Sequence, residues 1–140
     1  MFEQAVWIGC PEDFGEICPE FMLETKLEGE VDRAVLFITA IGVYEARFNG
    51  ERIGDFCLAP GCTVYGQRLQ YQEYDVTGLL GRAWRMGQGS HRLTVTVGTG
   101  WHRGRISEGS REINKMPAAI IARLEILYRD GSSRSFPKSP

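Results

Sequence analysis

The stretch Ala119-Ile120-Ile121-Ala122-Arg123-Leu124-Glu125-Ile126-Leu127-Tyr128 alternates in polarity: Ala122, Leu124, Ile126 and Tyr128 fall on one side, Arg123 and Glu125 on the other. A period of two is what an extended chain shows when one face is buried, so this segment reads as a half-buried strand. His91 to Val97 repeats the pattern, with Leu93, Val95 and Val97 opposed to Arg92, Thr94 and Thr96. From Arg33 to Ile41 the apolar residues are nearly continuous and rich in β-branched types. That composition suits a strand covered on both faces or central in a packed pair of sheets.

Turn chemistry agrees with strands. Asn49-Gly50 stands between Tyr44–Phe48 and Glu51–Ile53 and predicts a tight hairpin; Asp130-Gly131 predicts another, with a short return strand over Ser133 to Phe136. Glu20 to Leu27 and Leu69 to Val76 are further strand candidates. Helical signals are thin. Asp75 or Thr77 is placed to cap one turn through Gly78-Leu79-Leu80, which Gly81 is expected to stop. Gly9 to Pro19, Gly81 to Ser90 and Arg103 to Met116 read as loops. About seven short strands divided by turns describe an all-β fold, a two-sheet antiparallel β-sandwich with little helix, whose end loops carry any site.

A chain of 140 residues, with no internal linker or repeat, is expected to form one domain over residues 1–140. Lysine and arginine number 16 against 18 acids, scattered without a basic stripe, which argues against a nucleic-acid partner. The apolar run Ala34 to Ile38 is too short to span a membrane, and Met1-Phe2-Glu3-Gln4 lacks the basic and apolar regions of an export signal. Cys10, Cys18, Cys57 and Cys62 form no Cys-x-x-Cys pair and lie well away in sequence from His91 and His102, so reduced thiols are expected and a zinc site is not. These features point to a cytoplasmic protein.

Several blocks go beyond fold class: Trp7-Ile8-Gly9; Phe37 to Glu45 running into Phe48-Asn49-Gly50-Glu51-Arg52-Ile53-Gly54-Asp55; and Leu58-Ala59-Pro60-Gly61. They continue in order through Thr63, Tyr65, Arg68 to Gln72, Tyr74-Asp75-Val76-Thr77, Gly98, Gly100-Trp101, Arg103-Gly104, Pro117-Ala118, Arg123 to Ile126 and Asp130-Gly131. In these blocks the chain resembles the N-terminal accessory domain of bacterial α-L-rhamnosidases over nearly its whole length. The resemblance implies a jelly-roll or galactose-binding-like sandwich. It also implies a role beside a catalytic (α/α)6 barrel, which in those enzymes is a separate downstream domain carrying the catalytic acids, and a rhamnose-containing glycan as ligand.

On that reading the candidate binding residues are Trp101, Arg103, Asn49, Tyr65 and Arg68. Trp101, beside His102 and Arg103, either offers an indole face to a sugar ring or simply fills the core. Asn49 either takes the positive φ of a hairpin turn, which Asn-Gly alone accounts for, or points its amide at a sugar or cation. The family commonly places Trp after the Ala-Pro-Gly turn, where this chain has Cys62, and a thiol has no flat apolar face comparable with an indole.

Some rhamnosidase accessory modules are similar to lectins that hold sugar through calcium, which would place Asn49 and loop carbonyls as ligands. No Asp-x-Asp-x-Asp loop supports this, and no cofactor is expected. Glycoside hydrolysis needs a pair of carboxylates flanking the scissile bond. The acids here are scattered along alternating strands, so no catalytic residue is assigned and the chain by itself is expected not to be an enzyme.

Overall fold

The computed structural model describes residues 2, 5–10, 18–87, 89–103 and 116–136. Alternating segments become strands and their apolar faces meet. The described strands are β1 (Ile8–Gly9), β2 (Glu20–Thr25), β3 (Val31–Ile41), β4 (Val43–Phe48), β5 (Glu51–Arg52), β6 (Gln72–Asp75), β7 (His91–Gly98), β8 (Ala119–Tyr128) and β9 (Ser133–Phe136). Two short helices complete the described residues, α1 (Thr77–Arg85) and α2 (Gly100–Arg103).

The strands form two antiparallel sheets. One has the order β1-β8-β3-β6, with β9 also paired to β8, and the other the order β2-β7-β4-β5. The expected all-β sandwich is what is found. In the first sheet the long central pair β3 and β8 runs in register from Arg33↔Leu127 to Ile41↔Ala119, with an irregularity between Val31 and Arg33. The continuous apolar character of β3 follows from this position. Ala34, Leu36, Ile38 and Ala40 point into the core, and Val35 and Thr39 on the other face are also buried.

The core is the facing set of inward residues: Leu36 and Ile38 of β3, Ile120, Leu124 and Ile126 of β8, Val95 and Val97 of β7, and Tyr44, Ala46 and Phe48 of β4. Each fully buried Leu, Ile or Val contributes about 1.5–3 kcal/mol through removal of apolar surface from water. The Asn-Gly and Asp-Gly turns form as expected. Asn49 (φ 49°) and Gly50 (φ 85°) both take left-handed conformations between β4 and β5, the requirement of a two-residue hairpin that matches strand twist. The four cysteines are free thiols.

One expectation fails. Gly81 does not stop the helix: α1 runs through it to Arg85, so the segment expected to be a loop from Gly81 is helical over its first five residues. The reason is tertiary. Leu80 (0% exposed) and Ala83 (5%) seal the core, and their burial outweighs the roughly 1 kcal/mol that glycine costs in a helix. The start of the helix is pinned to β3. Thr77 Oγ1 accepts from Ala34 N–H at 2.9 Å and donates to Ala34 C=O at 3.3 Å, while Asp75 Oδ1 accepts from Thr77 N–H at 2.9 Å. The strand candidates Glu20–Leu27 and Leu69–Val76 shorten to β2 and β6. Most of the expected loops Gly9–Pro19 and Arg103–Met116 lies outside the described residues.

Candidate functional site

Strand pairing decides which candidate residues can meet. In the ladder between β4 and β7, Val43 lies opposite Gly98 and Phe48 opposite Leu93. Trp101 follows the Gly98 end and Asn49 the Phe48 end, so the two sit at opposite ends of β4, about 17 Å apart along the strand at roughly 3.3 Å per residue.

At the Gly98 end the chain turns sharply into α2. Gly100 has φ 51°, and a Cβ there would lie 2.6 Å from Val43 Cγ1, so glycine is required by both conformation and space. The turn exposes Trp101 (37%) and buries its neighbour His102 (1%). His102 Nε2 lies 3.1 Å from Met116 C=O, which fixes that nitrogen as the protonated donor. The Tyr65 ring meets the imidazole edge-to-face at 5.1 Å, and its hydroxyl donates to Gly61 C=O at 3.2 Å. Burial holds the Tyr65 phenol above its ordinary pKa of 10.0 and so keeps it protonated as a donor. Arg68 is exposed and sits on the same loop; its amide bonds Val64 C=O at 2.9 Å and its carbonyl accepts from Thr63 Oγ1 at 2.6 Å. Arg103 ends α2, and its side chain lies outside the described residues. This end therefore joins Tyr65 to His102 directly, and Trp101, the residue before His102, is exposed.

Next to it lies a surface depression of about 480 Å³ lined by Val43, Tyr44, Glu45, Arg52, Cys57, Leu58, Thr96 and Gly98. Glu45 is held there by Arg47 at 2.7 Å and Arg52 at 3.5 Å. Both pairs are largely solvated, so they orient the carboxylate more than they stabilise the fold.

Asn49 belongs to a different cluster. Its Oδ1 accepts from Arg92 N–H at 2.9 Å, its Nδ2 lies 3.2 Å from His91 Nδ1, and its own N–H reaches Arg92 C=O at 2.8 Å. These bonds tie the hairpin to the start of β7. One lone pair of the amide oxygen is thereby used, and the adjoining side chain offers nitrogen where calcium prefers oxygen. Among the described residues no group of three or more His, Cys, Asp or Glu is placed to hold a metal ion. The residues around Asn49 do not make a calcium shell. His91 and His102, buried anchors of the two ends, were not singled out from sequence; a lone histidine among apolar residues gave no signal beyond its rarity.

A chain folded as two antiparallel sheets packed face to face, with little helix, is of the class of β-sandwich modules. Within that class the chain belongs to the α-L-rhamnosidase N-terminal domain family, whose model matches residues 29–137. An α-L-rhamnosidase of Streptomyces avermitilis is 40% identical over 122 residues, which are 86% of this chain and 11% of that protein. Among solved structures, native α-L-rhamnosidase from Aspergillus terreus superposes with a TM-score of 0.84 at 36% identity, covering 98% of this chain and 16% of that one. The Streptomyces avermitilis enzyme complexed with L-rhamnose superposes with a TM-score of 0.75 at 37% identity, covering 86% of this chain and 11% of that one. The chain thus spans about a tenth to a sixth of the length of these relatives.

Proposed function

We propose that this domain is a non-catalytic accessory module of an α-L-rhamnosidase-type glycoside hydrolase, working beside a catalytic (α/α)6 barrel and helping to recognise rhamnose-containing glycans. The observation that carries the accessory role is the small share of each relative that the chain spans, although nearly all of this chain is matched. Glycan recognition rests on Trp101. Its exposed indole supplies an apolar face, Tyr65 and Arg68 on a loop at the same end supply hydrogen bonds to hydroxyl groups, and Arg103 is included on the sequence pattern alone. Asn49 enters this reading only as part of a second, separate contact at the far end of β4.

A purely structural module that packs against the barrel is the second reading. It is favoured by the engagement of Asn49 and Tyr65 in bonds within the domain and by Cys62 at the position where the family commonly has tryptophan.

Titration with L-rhamnose, followed by tryptophan fluorescence with added calcium and with chelator, separates the two. Recognition predicts a saturable change at millimolar sugar that Trp101→Ala removes. No change in either condition excludes sugar binding and leaves the structural reading. An aryl-rhamnoside assay on the chain alone is expected to show no turnover; turnover lost on one acid-to-amide substitution would overturn the accessory role.

A further inference from the structure

Among the described residues the edge of β2 away from β7 is unpaired and has the geometry of a docking strand. Among the described residues β2 pairs only with β7, from Glu20↔Thr96 to Thr25↔His91. Two bonds set the direction of its backbone groups. Val97 N–H donates to Pro19 C=O at 3.0 Å, so Pro19, Phe21, Leu23 and Thr25 are the residues bonded toward β7. Asn49 N–H donates to Arg92 C=O at 2.8 Å, which assigns the alternate residues of β7 to β4 and agrees with that phase. The N–H and C=O groups of Glu20, Met22 and Glu24 therefore point out of the sheet, away from β7. An unpaired strand edge of this kind is a template for another strand.

Beside this edge, between the two sheets, lies a cleft of about 350 Å³ walled by Ile8, Leu23, Leu93, Leu124 and Phe136, with Thr25 also in its lining. Thr25 is 8% exposed and its hydroxyl has no hydrogen-bond partner. Burying a hydroxyl unpaired is unfavourable, so the cleft combines an apolar wall with one unmet polar group. Met22 is 60% exposed on the solvent face of the same strand, between Glu20 and Glu24.

We propose that the β2 edge takes up an extended segment of polypeptide from outside this chain. The segment adds as a strand, places an apolar side chain in the cleft near Thr25, and carries Lys or Arg on its solvent face. Backbone bonding supplies affinity in such strand addition, and a pocket for alternate side chains supplies selectivity. Charge chooses the partner. A second copy pairing antiparallel through Met22 would set Glu20 directly against Glu24 of its mate, a like-charge pair that destabilises, whereas basic residues opposite those acids stabilise. Glu24 is already bridged to Arg92 at 3.0 Å but remains largely exposed, and Glu20 is exposed.

The test uses the isotope-labelled full chain and the peptide acetyl-Lys-Val-Lys-Leu-Lys-Val-Lys-amide, with acetyl-Glu-Val-Glu-Leu-Glu-Val-Glu-amide as its charge-reversed control. The basic peptide is expected to shift and slow the exchange of the Glu20, Met22 and Glu24 amides and to shift the methyl groups of Leu23, Leu93 and Leu124. Met22→Pro removes an outward N–H without touching the β7 ladder and should weaken binding about tenfold. The double variant Glu20→Lys, Glu24→Lys keeps that backbone and should prefer the acidic peptide. Absence of shifts at β2 at millimolar peptide overturns the proposal. So does equal binding of both peptides, and so does a concentration-dependent dimer that shifts the same amides without peptide.

Discussion

Asn49 Nδ2 lies 3.2 Å from His91 Nδ1, and the same amide accepts from Arg92 N–H through Oδ1 at 2.9 Å. The second bond fixes which end of the amide is oxygen, so the first makes His91 Nδ1 an acceptor and puts the imidazole proton on Nε2. His91 is 1% exposed and stacks on Phe48 at 5.8 Å. The hairpin end of the sandwich thus depends on a neutral histidine.

Burial lowers the His91 pKa from its ordinary value of 6.5. The unfolded chain then binds a proton before the folded chain does, so stability is full above about pH 6.5 and falls as pH drops below it toward the folded value. The slope from this group is at most about 1.4 kcal/mol per pH unit. Urea denaturation between pH 7.5 and 5 is expected to show the decline, and His91→Phe to flatten it; an unchanged slope in the variant would assign the decline elsewhere.

Asn49→Ala removes the side-chain bonds to His91 and Arg92 and puts a residue without a local hydrogen-bonding group at φ 49°. A loss of about 1–3 kcal/mol in unfolding free energy is expected, with Asn49→Gly costing less because glycine accepts the backbone angle. Equal losses in the two variants would mean that the backbone angle contributes nothing, and no loss in Asn49→Gly would mean that the side-chain bonds to β7 contribute nothing.

Two glycines at positive φ should respond very differently to alanine. At Gly42 (φ 124°) a Cβ would lie 2.3 Å from Gly98 C=O, at the junction that aims Trp101, whereas at Gly50 (φ 85°) nothing lies within 4 Å. Gly42→Ala should cost more than about 2 kcal/mol and disturb Trp101 fluorescence. Gly50→Ala should cost only the conformational penalty of about 1–2 kcal/mol. Thermal unfolding of the pair gives the comparison.

Gly81→Ala is expected to stabilise the protein by about 0.5–1 kcal/mol. Position 81 is inside α1, and a Cβ there would make only ordinary contact with Arg85 Nη1 at 3.8 Å. A lowered denaturation midpoint would show that the helix does not tolerate alanine there.

Strand identity was legible in the residues because alternation is local: β3, β4, β7, β8 and β9 follow from side-chain period, and the two hairpin turns from the Asn-Gly and Asp-Gly pairs, in which Asn49, Gly50 and Gly131 take positive φ. The family was legible in the ordered blocks for the same reason. Tertiary structure alone decided which strands are neighbours, since β2 pairs with a strand some seventy residues away and a register is not written in either segment. It decided that α1 passes through Gly81, because the burial of Leu80 and Ala83 against β3 outweighs a local penalty. It also parted the candidate site. Tyr65 meets His102, the neighbour of Trp101, at one end of the sandwich while Asn49 is drawn to the other by His91 and Arg92, a separation set by the length of β4 and by long-range pairing that no local pattern encodes.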